Sequence, residues 1–228
     1  MGLNGTKLAY SATLIKLSPK NKFQTIILEL NPSSACDKNY YGKDILGLSS
    51  KYHRNKTIKK EIDDIGLNDL TQEVYWSKAY NGNIIGIIKN YFFPKYNYKN
   101  YYGYDPIFVS YEEKQRFKKY LNLLHEKDCD SNQVINPIYI KYLKDIKLFC
   151  ELNNKKLILV TSPILGDLCK KDNQIFTKFV QDTGFQYYDF TDLFSNNKNT
   201  IDLWKDTHHL SNKGAELFTK HLKEKVLK

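Results

Sequence analysis

Asp206-Thr207-His208-His209-Leu210-Ser211-Asn212-Lys213-Gly214-Ala215 places a carboxylate three residues before an imidazole. Delivered from one loop, such a pair suits general-base chemistry. The carboxylate fixes the tautomer of the ring and stabilises the imidazolium formed when the histidine takes a proton from a nucleophile. That is two parts of an acyl-transfer triad, lacking only the nucleophile. His209 has the required spacing from Asp206, and His208 does not. A lone histidine before a helix reads as a cap or a packing group. The Leu-Ser-x-x-Gly-Ala run into a closing amphipathic helix, with strands upstream, favours the catalytic reading.

The elements that must position this pair follow a strand–helix rhythm. Apolar spacing predicts a helix over 7–18, with Leu8, Ala12 and Ile15 on one face. Residues 25–30 are apolar apart from Glu29 and short enough for a buried parallel strand. A helix over 138–152 leads through Asn153-Asn154 into a strand at 157–162. A second such unit follows, with a helix over 172–182 stopped by Gly184 before a strand at 186–190. The last helix is predicted from about Asn212 to Val226, with Ala215, Phe218 and Leu222 inward. Alternation of this kind predicts a parallel α/β sheet with right-handed crossovers.

At these residues the chain resembles the SGNH (GDSL-like) hydrolase superfamily, whose last sequence block is Asp-x-x-His followed by a Gly-containing helix. Lys156-Leu157-Ile158-Leu159-Val160-Thr161-Ser162-Pro163 resembles the family's fourth strand, and Phe185-Gln186-Tyr187-Tyr188-Asp189-Phe190-Thr191-Asp192-Leu193 its fifth strand and exit. Gly2-Leu3-Asn4-Gly5-Thr6, then a helix, then Thr25-Ile26-Ile27-Leu28-Glu29-Leu30-Asn31 resembles the second block and third strand. The bacterial envelope branch, with its O-acetyltransferases and D-alanine-transfer proteins, is the nearest in flavour.

The resemblance implies a three-layer flavodoxin-like fold of the α/β class, one domain over 1–228 with a large, mostly helical insertion at 36–136. It implies His209 as general base and Asp206 as its orienting partner. It also implies an oxyanion hole from the backbone of Gly5 and the side chain of Asn31, with Ser33 as the competing position. No cofactor and no metal are expected. One part departs from the family pattern. The nucleophilic serine belongs to a Gly-Asp-Ser or Gly-Ser-Ser turn after the first strand, and this sequence begins at Met1-Gly2, inside the second block. An N-terminally truncated chain is therefore expected, inactive as it stands. In this family the first strand lies between the second and third, so its absence would leave the strand at 25–30 as an open edge.

Composition narrows the partners. With 41% hydrophobic residues the chain can build a core, and it has no long apolar run for a transmembrane span. The start lacks the layout of a signal peptide. Membrane attachment would thus need a preceding segment, and an envelope location follows from the resemblance alone. The net charge of +10 is spread along the chain, without a nucleic-acid-binding motif, so solvated surface charge is favoured and nucleic acid is not expected. A small-molecule or glycan ester is the expected substrate class. Cys36, Cys129, Cys150 and Cys169 lack zinc-ligand spacing, and Cys150 reads as a core residue. Asp63-Asp64-Ile65-Gly66-Leu67-Asn68-Asp69 does not match an EF-hand loop. His53, His125 and His221 read as surface residues.

Within 36–136 two helices are expected, near 56–65 and 111–126. Its tyrosine-rich stretches around 91–104 suit either sugar stacking over the carboxyl ends of the sheet or plain surface packing. Three functions compete. One is an SGNH-type serine esterase or O-acyltransferase. The second is a non-catalytic carbohydrate-binding or assembly module on the same fold. The third uses Ser33 or Ser34 as nucleophile, although Pro32 is awkward in such a turn.

Overall fold

The computed structural model describes residues 7–66, 88–89, 91–93, 106–121, 133–166, 169–195 and 200–226. In chain order these form α1 (Leu8–Lys16), β1 (Gln24–Glu29), α2 (Pro32–Ala35), α3 (Lys56–Asp64), α4 (Tyr111–Leu121), α5 (Pro137–Leu152), β2 (Lys155–Thr161), α6 (Lys170–Asp182), β3 (Gln186–Asp189) and α7 (Asn212–Val226). Two 3₁₀ stretches, Lys43–Arg54 and Thr200–Leu203, complete the set. Each helix and strand expected from periodicity has a counterpart among the described residues, with ends shifted by a few residues; the last part of the helix expected near 111–126 lies outside them. Expected positions 1–6, 67–87, 94–105 and 122–132, among them Gly5 and His125, lie outside the described residues.

Contacts divide the chain into two units, Met1–Gln24, Lys38–Asp105 and Asn136–Lys156 in one, and Thr25–Asp37, Pro106–Ile135 and Leu157–Lys228 in the other. The stretch 36–136 contributes to both. The first unit is helical. Leu8, Ala9, Ala12 and Ile15 of α1 are buried with Tyr139, Leu143, Ile146 and Cys150 of α5, and α1 and α5 pack on each other. Asn55 and Asn136 cap α3 and α5 by accepting backbone N–H bonds, and Pro137 opens α5, where its missing N–H costs nothing. Lys155 is 7% exposed, and its Nζ donates to Pro19 O, Lys22 O and Gln24 Oε1 at 2.7, 3.2 and 2.9 Å.

The second unit holds the sheet, which is parallel and ordered β1-β2-β3. Ile158 to Thr161 pair with Gln186 to Asp189. Ile158, Val160, Phe190 and Val226 form one cluster, with Ile27, Phe218 and Leu222 packed against it, so α7 covers one face. Leu159 points the other way, by the two-residue period of a strand, toward the side where Phe176 and Val180 of α6 are fully buried. The Phe176 ring meets Tyr187 edge-on at 5.6 Å. As expected, Gly184 ends α6: its φ of +67° is left-handed, and the N–H groups of Gly184 and Phe185 close on Gln181 O and Val180 O.

Burial differs sharply between strands. In β2, Ile158, Leu159, Val160 and Thr161 are buried. In β1 only Leu28 is; Ile26 and Ile27 are half-buried, and Thr25 and Glu29 are exposed. Among the described residues no strand lies beyond β1. No described helix is long and apolar enough to cross a membrane.

Candidate active site

The Asp206–His209 loop is held by its two ends. Trp204, 1% exposed, anchors one end in a cluster with Phe117, Phe194 and Leu203. Its ring meets Phe194 edge-on at 6.2 Å. Trp204 and Leu210 form an antiparallel bridge, Lys205 N–H donates to His209 O at 2.8 Å, and Ser211 N–H to Leu203 O at 2.8 Å. The loop is therefore a tight hairpin closed over a buried indole.

The Ser-x-x-Gly run fastens this hairpin to α7. Ser211 Oγ donates to Asp202 O at 2.7 Å and accepts the Gly214 N–H at 3.3 Å, which satisfies one of the free donors of the helix's first turn. A Cβ on Gly214 would lie 2.1 Å from Leu203 O, so only glycine allows α7 to approach that carbonyl. Asn212 N–H donates to Ile107 O at 2.8 Å, tying the segment before α4 to the same place.

Two further bonds place the loop on the sheet. Leu165, just after β2, donates its N–H to Thr207 O at 3.0 Å, and Ile164 N–H reaches Thr191 O, just after β3, at 3.1 Å. The loop thus stands at the carboxyl ends of the strands, where open α/β sheets carry their sites.

Within the loop, both carboxylate oxygens of Asp206 lie 2.9 Å from His209 Nδ1. Oδ1 also accepts the backbone N–H groups of His208 and His209, each at 2.9 Å. Partial burial opposes ionisation of Asp206 and is the largest single influence. The bonds from His208 N–H and the His209 ring and N–H together outweigh it and hold the carboxyl below its ordinary range. An ionised Asp206 can only accept, so Nδ1 carries a proton, and in the neutral imidazole this leaves the lone pair on Nε2. Nε2 has no hydrogen-bond partner among the described residues.

Asn31, just beyond β1, caps α2: its Oδ1 accepts Ser33 N–H at 2.9 Å and Ser34 N–H at 3.4 Å. That turns the amide so that oxygen faces the helix, and Nδ2 has no partner among the described residues. An oriented donor with nothing to donate to is what an oxyanion site uses. Ser33, the competing position, is an exposed residue of the first turn of α2 and serves the cap through its backbone.

Sequence reasoning did not single out Ser162. Its Oγ donates to Glu29 Oε1 at 2.7 Å, linking the carboxyl ends of β1 and β2. Glu29 was visible as the one charge in an apolar run; nothing marked Ser162 as its partner. His221 is half-buried rather than a free surface residue, its ring 6.4 Å from that of Phe194. Cys36 and Cys150 are buried free thiols. Among the described residues no group of three His, Cys, Asp or Glu side chains is placed to hold a metal ion. No family model matches the chain, and no curated protein matches it.

Proposed function

We propose that the chain belongs to an SGNH-type serine esterase or O-acyltransferase, of flavodoxin-like α/β fold, acting on an ester such as an acylated cell-surface carbohydrate. His209 is the general base through Nε2, and Asp206 orients its ring and stabilises the imidazolium. Asn31 Nδ2 supplies an oxyanion donor, and the backbone of Gly5 is the expected second one. The reading needs a nucleophilic serine, which in the family resembled stands in a Gly-Asp-Ser or Gly-Ser-Ser turn.

The observation that supports this reading is the Asp206 carboxylate on His209 Nδ1 at 2.9 Å, at the carboxyl ends of the strands, with no partner for Nε2 among the described residues. A second reading, a non-catalytic carbohydrate-binding or assembly module, draws support from the same carboxylate. It also accepts two backbone N–H groups, which suffices to shape the loop without catalysis.

Hydrolysis of p-nitrophenyl acetate separates the two. The chain as given should show no turnover that depends on His209. Preceded by an apolar strand ending in Gly-Asp-Ser, taken from the genomic sequence upstream of Met1 if it encodes one, it should turn over. His209→Ala should then cost about a thousandfold or more. Turnover of the extended chain that ignores His209→Ala leaves the module reading standing. Turnover of the chain as given that vanishes in His209→Ala points to an internal serine, which Ser33→Ala and Ser34→Ala would identify.

A further inference from the structure

We propose that Ile88, Tyr91, Phe92 and Phe93 form a docking surface for an anionic lipid membrane, which they meet at the level of its headgroups. The proposal does not rest on the hydrolase reading, and it uses residues of the chain as given.

The first observation is exposure. Ile88 is 53% exposed, Tyr91 81%, Phe92 66% and Phe93 76%. Single exposed apolar side chains are ordinary, whereas several that adjoin mark a contact surface. These adjoin. Ile88, Lys89, Tyr91 and Phe92 are helical, and Phe93 N–H donates to Lys89 O at 2.8 Å, one helical turn back. The spacing i, i+3, i+4 puts Ile88, Tyr91 and Phe92 on one face. The Tyr91 and Phe92 rings meet edge-on at 5.1 Å.

The second observation is charge, and it names the partner. Between Glu73 and Asp105 the sequence has no acidic residue, although the chain carries 25, and it has Lys78, Lys89, Lys95 and Lys99. Lys89 is exposed within the helical turn itself. A stretch without carboxylates and supplied with lysines complements a surface that is negative throughout. Aromatic rings and lysines together are also what a membrane interface selects. The rings sit among the headgroups, and the ammonium groups reach the phosphates on apolar stems. Sugar stacking would use the rings, but it gives no role to Ile88 or to the missing carboxylates.

Flotation of the chain as given measures the binding, with vesicles of phosphatidylcholine alone and of phosphatidylcholine mixed equally with phosphatidylglycerol. The chain should bind the mixed vesicles reversibly and the neutral ones at least about fivefold more weakly, the effect of one lysine near an anionic surface. Phe92→Ser together with Phe93→Ser should weaken binding to the mixed vesicles at least about tenfold. Phe23→Ser together with Phe108→Ser removes two other rings of similar exposure and should leave binding unchanged. All four rings lie outside the core, so both variants should keep the circular dichroism of the parent. Absence of binding to the mixed vesicles overturns the proposal. So does binding that survives Phe92→Ser with Phe93→Ser, which charge alone would give, or that falls equally in the Phe23 and Phe108 variant. A chain that ignores vesicles, while the backbone resonances of Tyr91, Phe92 and Phe93 shift with a chito-oligosaccharide, overturns it in favour of sugar.

Discussion

Replacing Gly214 by alanine sets two physical effects against each other. Gly214 lies in the first turn of α7, and helix propensity alone favours alanine over glycine by up to about 1 kcal/mol. The structure argues the opposite sign. The new Cβ would meet Leu203 O at 2.1 Å, Leu203 C at 2.9 Å and Leu203 Cα at 3.2 Å. All three are backbone atoms, so no side chain can swing away, and α7 must retreat from Leu203 by about an ångström. Overpacking of this kind costs about 1–3 kcal/mol. The retreat also pulls on Ser211 N–H to Leu203 O and Ser211 Oγ to Asp202 O, hydrogen bonds contributing about 0.5–1.5 kcal/mol each. A net loss of roughly 1–6 kcal/mol follows, a large share of the ~5–15 kcal/mol typical of a domain. Urea denaturation followed by far-UV circular dichroism measures it, with Gly66→Ala as a control where a Cβ meets nothing and only the φ of +67° is strained. The His209 ring resonances should shift as the loop loosens. A Gly214→Ala protein as stable as the parent, or more so, would refute the clamp.

Other outcomes are expected. Asp206 has a folded pKa below its unfolded value of ~3.9, so its contribution to loop order is present above that pH and lost as pH falls through the folded value. Amide exchange at His208 and His209 should accelerate below about pH 4 in the parent, and show no such pH step in Asp206→Ala. Burial, with Asp172 nearby, pushes the Cys36 thiol up to about 12. Cys36 should therefore resist thiol reagents near pH 8 in the native protein and react on unfolding. Lys155→Met should cost about 2–4 kcal/mol in urea denaturation, because it leaves Pro19 O and Lys22 O without their donor.

Much of this was legible in the sequence because local rules decide it. Apolar spacing marked α5, α6 and α7 to within a few residues, and Gly184 announced the end of α6 because only a left-handed residue closes that helix. The Asp206–His209 contact was legible for the same reason: three residues of one loop fix it. Contacts set by tertiary packing were not. Ser162 meets Glu29 across 133 positions of sequence, and no local pattern pairs them. The close approach of Gly214 to Leu203 depends on Trp204 being buried, which the sequence marks only as a tryptophan.

The catalytic reading and the structural one share the same atoms, so the contact between Asp206 and His209 cannot by itself separate them. A loop stabilised for shape alone needs Asp206 to accept backbone N–H groups, which it does twice. It does not need the imidazole on the carboxylate, since both backbone bonds would survive with the ring turned to solvent. Holding that ring costs side-chain entropy, and a pair this exposed returns little through charge attraction. His209→Gln therefore discriminates on stability alone: it keeps the backbone bonds and loses the ring contact. If stability is unchanged, the ring is held at little structural benefit, as a functional group would be. A clear loss would make the imidazole part of the scaffold and weaken the case for His209 as a base.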